Sequence, residues 1–219
     1  VPRVIEKFYD VIISKGNKLK GVKKSLFFWA VRLGLKYKPF GENGWFYDQK
    51  LKLADKLIFS KWREALGGRV RIVGCGGASL QSRLERIFWA AGIKIINMYG
   101  LTETSPIITI NGTEKGKVKL GSVGTSIPGV EVRIADDGEI LCKGPNVSPG
   151  YYKDPELTRA AYDGEGWFHT GDIGHFEDGK FLMVTDRKKE IFKLSNGKFI
   201  APQIIENLFK ELPMIDQIM

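Results

Sequence analysis

Thr102, Glu103 and Thr104 follow directly on a short apolar run, in the segment YGLTETSP, and their types suit work on a phosphate. A hydroxyl can donate a hydrogen bond to a phosphate oxygen. A carboxylate can hold Mg²⁺, which prefers oxygen ligands shared with phosphates. The same residues would also make a capped turn with a solvated glutamate, and the segment alone does not choose between the two. Upstream stands a glycine cluster, GCGGAS, which reads either as a phosphate-approaching loop or as a tight strand-to-helix turn.

Both turns hang on one stretch, residues 69–103. Residues 69–73 alternate and are rich in β-branched side chains, and Gly74, Gly76 and Gly77 then break the strand. Leu80, Leu84, Ile87, Phe88 and Ala91 recur at helical spacing, with Ser82 and Glu85 at capping-box separation. Gly92 stops the helix, and residues 94–99 resume as an apolar strand. This βαβ pattern predicts a parallel sheet with a right-handed crossover. It would set the GCGGAS and YGLTE turns side by side at the carboxyl edge, where open α/β sheets bind ligands.

Beyond this unit the period shortens. Residues 121–127, 131–135 and 139–143 read as strands, with Asp136-Asp137-Gly138 as the hairpin turn between the last two. Asp154-Pro155 has the form of an N-cap with proline at the first helical position, opening a helix over 156–162. A second hairpin, GHFEDGKFLMV, turns at Asp178-Gly179.

With 219 residues and 43% hydrophobic content, the chain can fill one large domain or two smaller ones. It has no apolar run long enough to span a membrane, and Glu6, Lys7 and Asp10 interrupt any signal-like start. Cys75 and Cys142 lack a CxxC partner and read as reduced, buried residues of a cytoplasmic protein; His169 and His175 are too few for a metal cluster. The net charge of +9 is concentrated early, where residues 1–60 hold 13 Lys/Arg against 5 Asp/Glu. Within 14–40, lysines interleave with Leu19, Val22, Leu26, Phe27, Trp29, Ala30 and Leu33 in an amphipathic helical pattern. That pattern fits a surface helix with its aromatic side inward, or a basic peripheral patch on a membrane surface. No nucleic-acid motif accompanies it, so no nucleic-acid partner is expected. A further helix is expected over 48–59, carrying Leu51, Leu53, Ala54, Leu57 and Ile58, with a C-cap signal at 66–68 before the central strand.

Five segments then appear in order: GCGGASL, NMYGLTETSP, GEILCKGPNVSPGYY, WFHTGDIG and DRKKEIFKLSNGKFIAP. Together they resemble the motif series of the adenylate-forming (AMP-binding) superfamily, which contains acyl-CoA synthetases, luciferases and the adenylation domains of peptide synthetases. VPRVIEKFYDVI and NGKFIAPQIIE resemble bacterial long-chain fatty acyl-CoA synthetases. The resemblance implies an α/β plus β fold: a βαβ parallel-sheet part of a large domain over 1–111, a distorted β-barrel subdomain over 112–185, and a hinge with the beginning of a small α+β C-terminal domain over 186–219.

It also implies roles. Thr102 would contact the α-phosphate of ATP and Glu103 would hold Mg²⁺. Gly76, Gly77 and Ala78 would place backbone beside the adenine and the acyl carboxylate, with Tyr99 and Gly100 at the adenine. Asp172 would accept hydrogen bonds from both ribose hydroxyls, a task for an acceptor-only group, with Gly171 leaving room and Thr170 orienting it. On its own, Asp172 reads as an aspartate closing a turn before a strand. Arg187 would touch the ribose, Lys189 and Lys193 would approach the nucleotide, and Lys188 and Glu190 would be solvated charges. Gly197 would line the passage of the pantetheine arm of CoA. A helix is expected over 202–212.

The reaction so implied joins a long-chain fatty acid to CoA through an acyl-adenylate, with release of pyrophosphate. The superfamily's phosphate-grasping loop and its essential lysine find no match in the chain, and Ser79 stands where proline is common. The expectation is therefore an internal fragment with about half the active site and little activity alone. A fatty acyl-AMP ligase or acyl carrier protein ligase would share nearly every motif, and a non-catalytic nucleotide- or lipid-binding relative would share many.

Overall fold

Aromatic and aliphatic residues recurring every three or four positions wind the first part of the chain into helices. In the computed structural model, which describes residues 2–190 together with 192–193, 199–200, 202, 205 and 209, the chain divides into two units. One comprises Val1–Asn97 and Gly112–Gly121, the other Met98–Asn111 and Ser122–Met219.

The first unit opens with α1 (Pro2–Asn17) and α2 (Gly21–Gly34). The amphipathic stretch at 14–40 is thus not one helix. Its aromatic side faces inward: Phe27, Ala30 and Val31 are buried, and Leu19, Phe28, Trp29 and Leu33 pack against the same core. Lys18, Lys20, Lys23, Lys24 and Arg32 stay exposed. The helix expected over 48–59 is longer at both ends. It begins as α3 (Trp45–Ala54), widens into a π turn (Asp55–Phe59) and ends as α4 (Ser60–Ala65). Arg63 bridges the widened turn, pairing with Asp55 at 2.5 Å and donating to the Ala91 carbonyl at 2.6 Å. Phe59, the last residue of that turn, and Trp62 are both buried against each other. The expected C-cap forms, with Gly68 N–H donating to the Arg63 carbonyl at 2.8 Å.

β1 (Ile72–Cys75), α5 (Ser82–Ala90) and β2 (Lys94–Tyr99) follow. β1 and β2 pair in parallel, from Ile72 opposite Lys94 to Cys75 opposite Asn97, as the βαβ pattern predicts. Leu84, Ile87, Phe88 and Ala91 enter the core with α1 and α2. The capping box does not form. Gln81 is the N-cap and makes no side-chain cap bond, while Glu85 turns inward and accepts from Gly121 N–H at 2.6 Å.

In the second unit, the last residues of β2 pair antiparallel with β3 (Thr109–Ile110), which pairs with β4 (Thr125–Ser126). The strand expected over 121–127 is confined to this short piece. Alternation then builds an antiparallel sheet in the order β5 (Glu131–Ile134), β6 (Glu139–Lys143), β7 (Phe168–Glu177) and β8 (Phe181–Arg187). Both hairpin turns fall where expected: Gly138 N–H donates to the Ala135 carbonyl at 2.8 Å, and Lys180 N–H to the Glu177 carbonyl at 3.2 Å. Between β6 and β7 lies α6 (Pro155–Ala161), capped by Asp154 Oδ1, which accepts from Leu157 N–H at 2.9 Å. Ile108, Val130, Cys142 and Phe168 form the core here, with Tyr99, Val147 and Tyr162 packed against it. β9 (Phe192–Lys193) and β10 (Phe199–Ile200) pair antiparallel. Pro202, Ile205 and Phe209 are helical, and the rest of the helix expected over 202–212 lies outside the described residues. Among the described residues no helix is long and apolar enough to cross a membrane. Both cysteines are free and buried.

Candidate functional site

Alternation along β7 turns Phe168, Thr170 and Asp172 inward. Asp172 is 5% exposed, so its carboxylate needs partners. The Tyr99 hydroxyl donates to Asp172 Oδ2 at 2.8 Å, and Arg187 Nε lies 3.2 Å from Oδ1. Burial pushes the Asp172 carboxyl above its ordinary range, and the Tyr99 bond and the Arg187 charge pull against that rise. Burial and the neighbouring Asp172 raise the Tyr99 hydroxyl in turn, so it stays a donor. Thr170 Oγ1 donates to the Ile140 carbonyl at 2.7 Å and accepts from Asp172 N–H at 3.2 Å, which fixes the backbone beneath the carboxylate. Each carboxylate oxygen has a second lone pair. The group can therefore accept from a vicinal diol while its present partners hold it.

A second charged cluster supports the same strand. Glu139 is 4% exposed on β6. Its Oε1 accepts from Gly171 N–H at 3.0 Å, and its Oε2 lies 3.1 Å from His169 Nδ1 and 2.8 Å from Lys188 Nζ. Lys188 also reaches Asp137 at 2.6 Å. Desolvation works to raise the Glu139 carboxyl, but Lys188, His169 and the Gly171 amide outweigh it and hold the group below its ordinary value. Lys188 is exposed, as expected of a solvated charge, but two carboxylates also hold it at the exit of β8, and both raise its pKa.

The YGLTETSP turn is a 3-10 turn (Thr102–Thr104). Its hydroxyls divide the work. Thr104 is buried; its Oγ1 accepts from Leu101 N–H at 2.9 Å and lies 3.0 Å from the Leu101 carbonyl oxygen, so it closes the turn. Thr102 is exposed, and Glu103 is half-buried with Oε1 accepting from the Tyr151 hydroxyl at 2.8 Å. Gly100 is dictated by space, since a Cβ there would sit 1.8 Å from the Pro106 carbonyl oxygen. Among the described residues no cluster of three or more His, Cys, Asp or Glu is built to cage a metal. A lone carboxylate beside an exposed threonine suits Mg²⁺ that takes most of its ligands from phosphates and water, and Glu103 fits that use.

Gly76, Gly77 and Ala78 form the turn after β1 in the first unit, half-buried to exposed. Lys189 is exposed. Lys193 pairs through its backbone with Phe199, and Gly197 lies outside the described residues. Motif reading missed Glu139, His169 and Tyr151. The available signal for Glu139 was a charge within the otherwise apolar strand EILC, where a lone carboxylate must find partners.

A family model described as AMP-binding enzyme matches residues 11–152. A long-chain-fatty-acid–CoA ligase of Mycobacterium bovis is 37% identical over 220 residues, covering 99% of this chain and 36% of that protein. The peroxisomal long chain acyl-CoA synthetase 7 of Arabidopsis thaliana is 38% identical over 232 residues, covering 99% and 32%. Among solved structures, o-succinylbenzoate CoA synthetase of Bacillus subtilis in complex with ATP and magnesium ion shares 27% identity at a TM-score of 0.61, over 72% of this chain and 36% of that one. In complex with its acyl-adenylate intermediate the same synthetase aligns at a TM-score of 0.62, with the same identity and coverage. The chain spans about a third of the length of the curated relatives it matches.

Proposed function

The chain belongs to the AMP-binding enzyme family, and from that premise we propose that the protein activates a long-chain fatty acid with ATP and passes the acyl group to CoA. A carboxylate oxygen of the fatty acid attacks the α-phosphorus of ATP, and the bond to pyrophosphate breaks. The thiol sulfur of CoA then attacks the acyl carbonyl, and AMP leaves. The observation that carries the reading is the Asp172 carboxylate held between Tyr99 and Arg187, an acceptor prepared for a ribose diol.

Asp172 and Arg187 hold the ribose, so the nucleotide is oriented through its sugar. Tyr99 and Gly100 border the adenine. Thr102 donates to the α-phosphate. Glu103 would hold Mg²⁺, which would supply positive charge against the phosphates. Lys189 approaches the nucleotide. Much of the acceleration comes from holding acid and phosphate in line. In this scheme residues 1–111 and 112–185 are parts of the nucleotide-binding domain, and 186–219 begins a lid that turns on the segment at Arg187. The exposed lysines of 14–40 give the protein a peripheral electrostatic contact with an anionic membrane surface, from which the fatty acid is drawn. Failure to co-sediment with anionic liposomes at low salt would remove that contact.

The test is ATP-dependent pyrophosphate release by the full-length protein, over acids from acetate to stearate, with and without CoA. Turnover that peaks at long chains and yields a thioester is expected, and Asp172→Ala should cripple it. Pyrophosphate release without thioester would point to an acyl-AMP ligase or a carrier-protein acceptor. No release with any acid would overturn the reading.

A further inference from the structure

The segment GPNVSPGYY has no part in the chemistry above, yet it holds the turn that carries Glu103. Asn146 Nδ2 lies within hydrogen-bond reach of the carbonyl oxygens of Thr104, at 3.0 Å, and Ile107, at 2.8 Å, on either side of the Ser105-Pro106 corner. Ser148 N–H donates to the Glu103 carbonyl at 2.7 Å. Tyr151 then donates its hydroxyl to the Glu103 side chain at Oε1, 2.8 Å away. Backbone and carboxylate of one residue are therefore both held by one loop.

The loop is itself braced. Tyr151 N–H donates to Thr158 Oγ1 at 2.9 Å, and Thr158 belongs to α6. The Tyr162 hydroxyl donates to the Ser148 carbonyl at 2.7 Å. Gly150, at φ +140, takes a backbone conformation that suits glycine, and a Cβ there would come within 2.6 Å of the Thr158 side chain. The chain thus passes tightly over α6 and delivers the Tyr151 ring to the glutamate from a fixed base.

We propose that Tyr151 is the positioning residue for Glu103, selecting the one carboxylate orientation that meets a divalent cation on the phosphates of the bound nucleotide. A glutamate on a half-exposed turn has three side-chain torsions, and fixing it costs rotamer freedom. The Tyr151 bond meets that cost before the cation arrives. Tying Oε1 leaves the carboxylate to engage the cation through its other oxygen, in keeping with a single-carboxylate Mg²⁺ site. Tyr152 is the internal contrast: adjacent in sequence, it is 89% exposed. The inference rests on the reading of Glu103 as the cation ligand.

The test uses the full-length protein and its Tyr151→Phe, Glu103→Ala and double variants, with Tyr152→Phe as control. Two quantities are read: the Mg²⁺ concentration giving half-maximal pyrophosphate release at saturating ATP and fatty acid, and the Mn²⁺ dissociation constant in the presence of ATP, followed by electron paramagnetic resonance. Loss of a hydrogen bond to a charged group predicts about a tenfold rise in both for Tyr151→Phe. The KM for fatty acid and the behaviour of Tyr152→Phe should not change. Added to Glu103→Ala, Tyr151→Phe should do nothing more. If Glu103→Ala weakens Mn²⁺ binding and Tyr151→Phe does not, the positioning role is overturned and the ligand reading stands. If neither variant alters Mn²⁺ binding, both fall.

Discussion

Asp172 and Arg187 are register partners across β7 and β8, and Arg187 Nε sits 3.2 Å from a carboxylate oxygen whose twin takes the Tyr99 hydroxyl. The strand ladder therefore sets the ion pair, and the two side chains need little rotamer search to meet. Asp172→Asn keeps the shape and removes the charge, and Arg187→Ala removes the cross-strand partner. Each should raise the KM for ATP about 10- to 100-fold, the range for hydrogen bonds to a charged group. Steady-state kinetics on the double variant should show less than the sum of the two effects, because the residues are in contact.

Glu139 should matter more for stability than its distance from the chemistry suggests. It is buried, and Lys188, His169 and Gly171 N–H all converge on it. Glu139→Ala strands those groups and should cost about 3 kcal/mol. Lys188→Ala should cost less, because that side chain is 46% exposed and solvent takes over part of the charge. The pH dependence has a definite sign. The carboxyl is held below its ordinary value in the folded state, so its contribution is full above the unfolded value near 4.5 and fades as pH falls below it. Acid unfolding of Glu139→Gln should accordingly be shallower than that of the parent protein.

Phe27 decides what the basic N-terminal stretch does with its aromatic side. The ring is 7% exposed, lies edge-on to Phe28 at 5.2 Å, and covers Gly16 so closely that a Cβ there would come within 2.1 Å of it. Phe27→Ala should destabilise the fold by about 3–5 kcal/mol, as for other buried phenylalanines. An unchanged denaturant midpoint would mean that the ring is not part of the core and is available to a membrane after all.

Local signals were legible in the sequence and distant ones were not. Asp154 with Pro155, the Asp137-Gly138 and Asp178-Gly179 turns and the LGG cap all act over a few residues, and all formed. The βαβ unit was readable because its periods switch cleanly. Within the site, motif order named Asp172, Arg187 and Tyr99, which the fold brings together. What escaped is what the chain closes over long separations. Lys188 meets Glu139 across 49 positions and Tyr151 meets Glu103 across 48, and no local pattern distinguishes Lys188 or Tyr151 from solvated neighbours. Ser82 and Glu85 had the right spacing for a capping box, but Gly121, 36 residues on, offered Glu85 a part-buried N–H instead.

That same Glu85 gives the last prediction. It is fully buried on α5; Gly121 N–H serves Oε2, and among the described residues Oε1 has no hydrogen-bond partner. Desolvation drives its pKa from 4.5 up to about 8, against the pull of the Gly121 amide, Arg86 and Asn97. A carboxyl raised in the folded state favours folding fully below the unfolded value near 4.5. That contribution is lost as pH climbs to about 8, where the buried group must ionise. The loss is on the order of a few kcal/mol across the window. The melting temperature should therefore fall between pH 5.5 and 8.5 by more in the parent protein than in Glu85→Gln, which keeps the volume and an acceptor for Gly121 N–H. At pH 8.5 Glu85→Gln should be the more stable of the two. Parallel pH profiles would show that Glu85 is already ionised and paired at neutral pH.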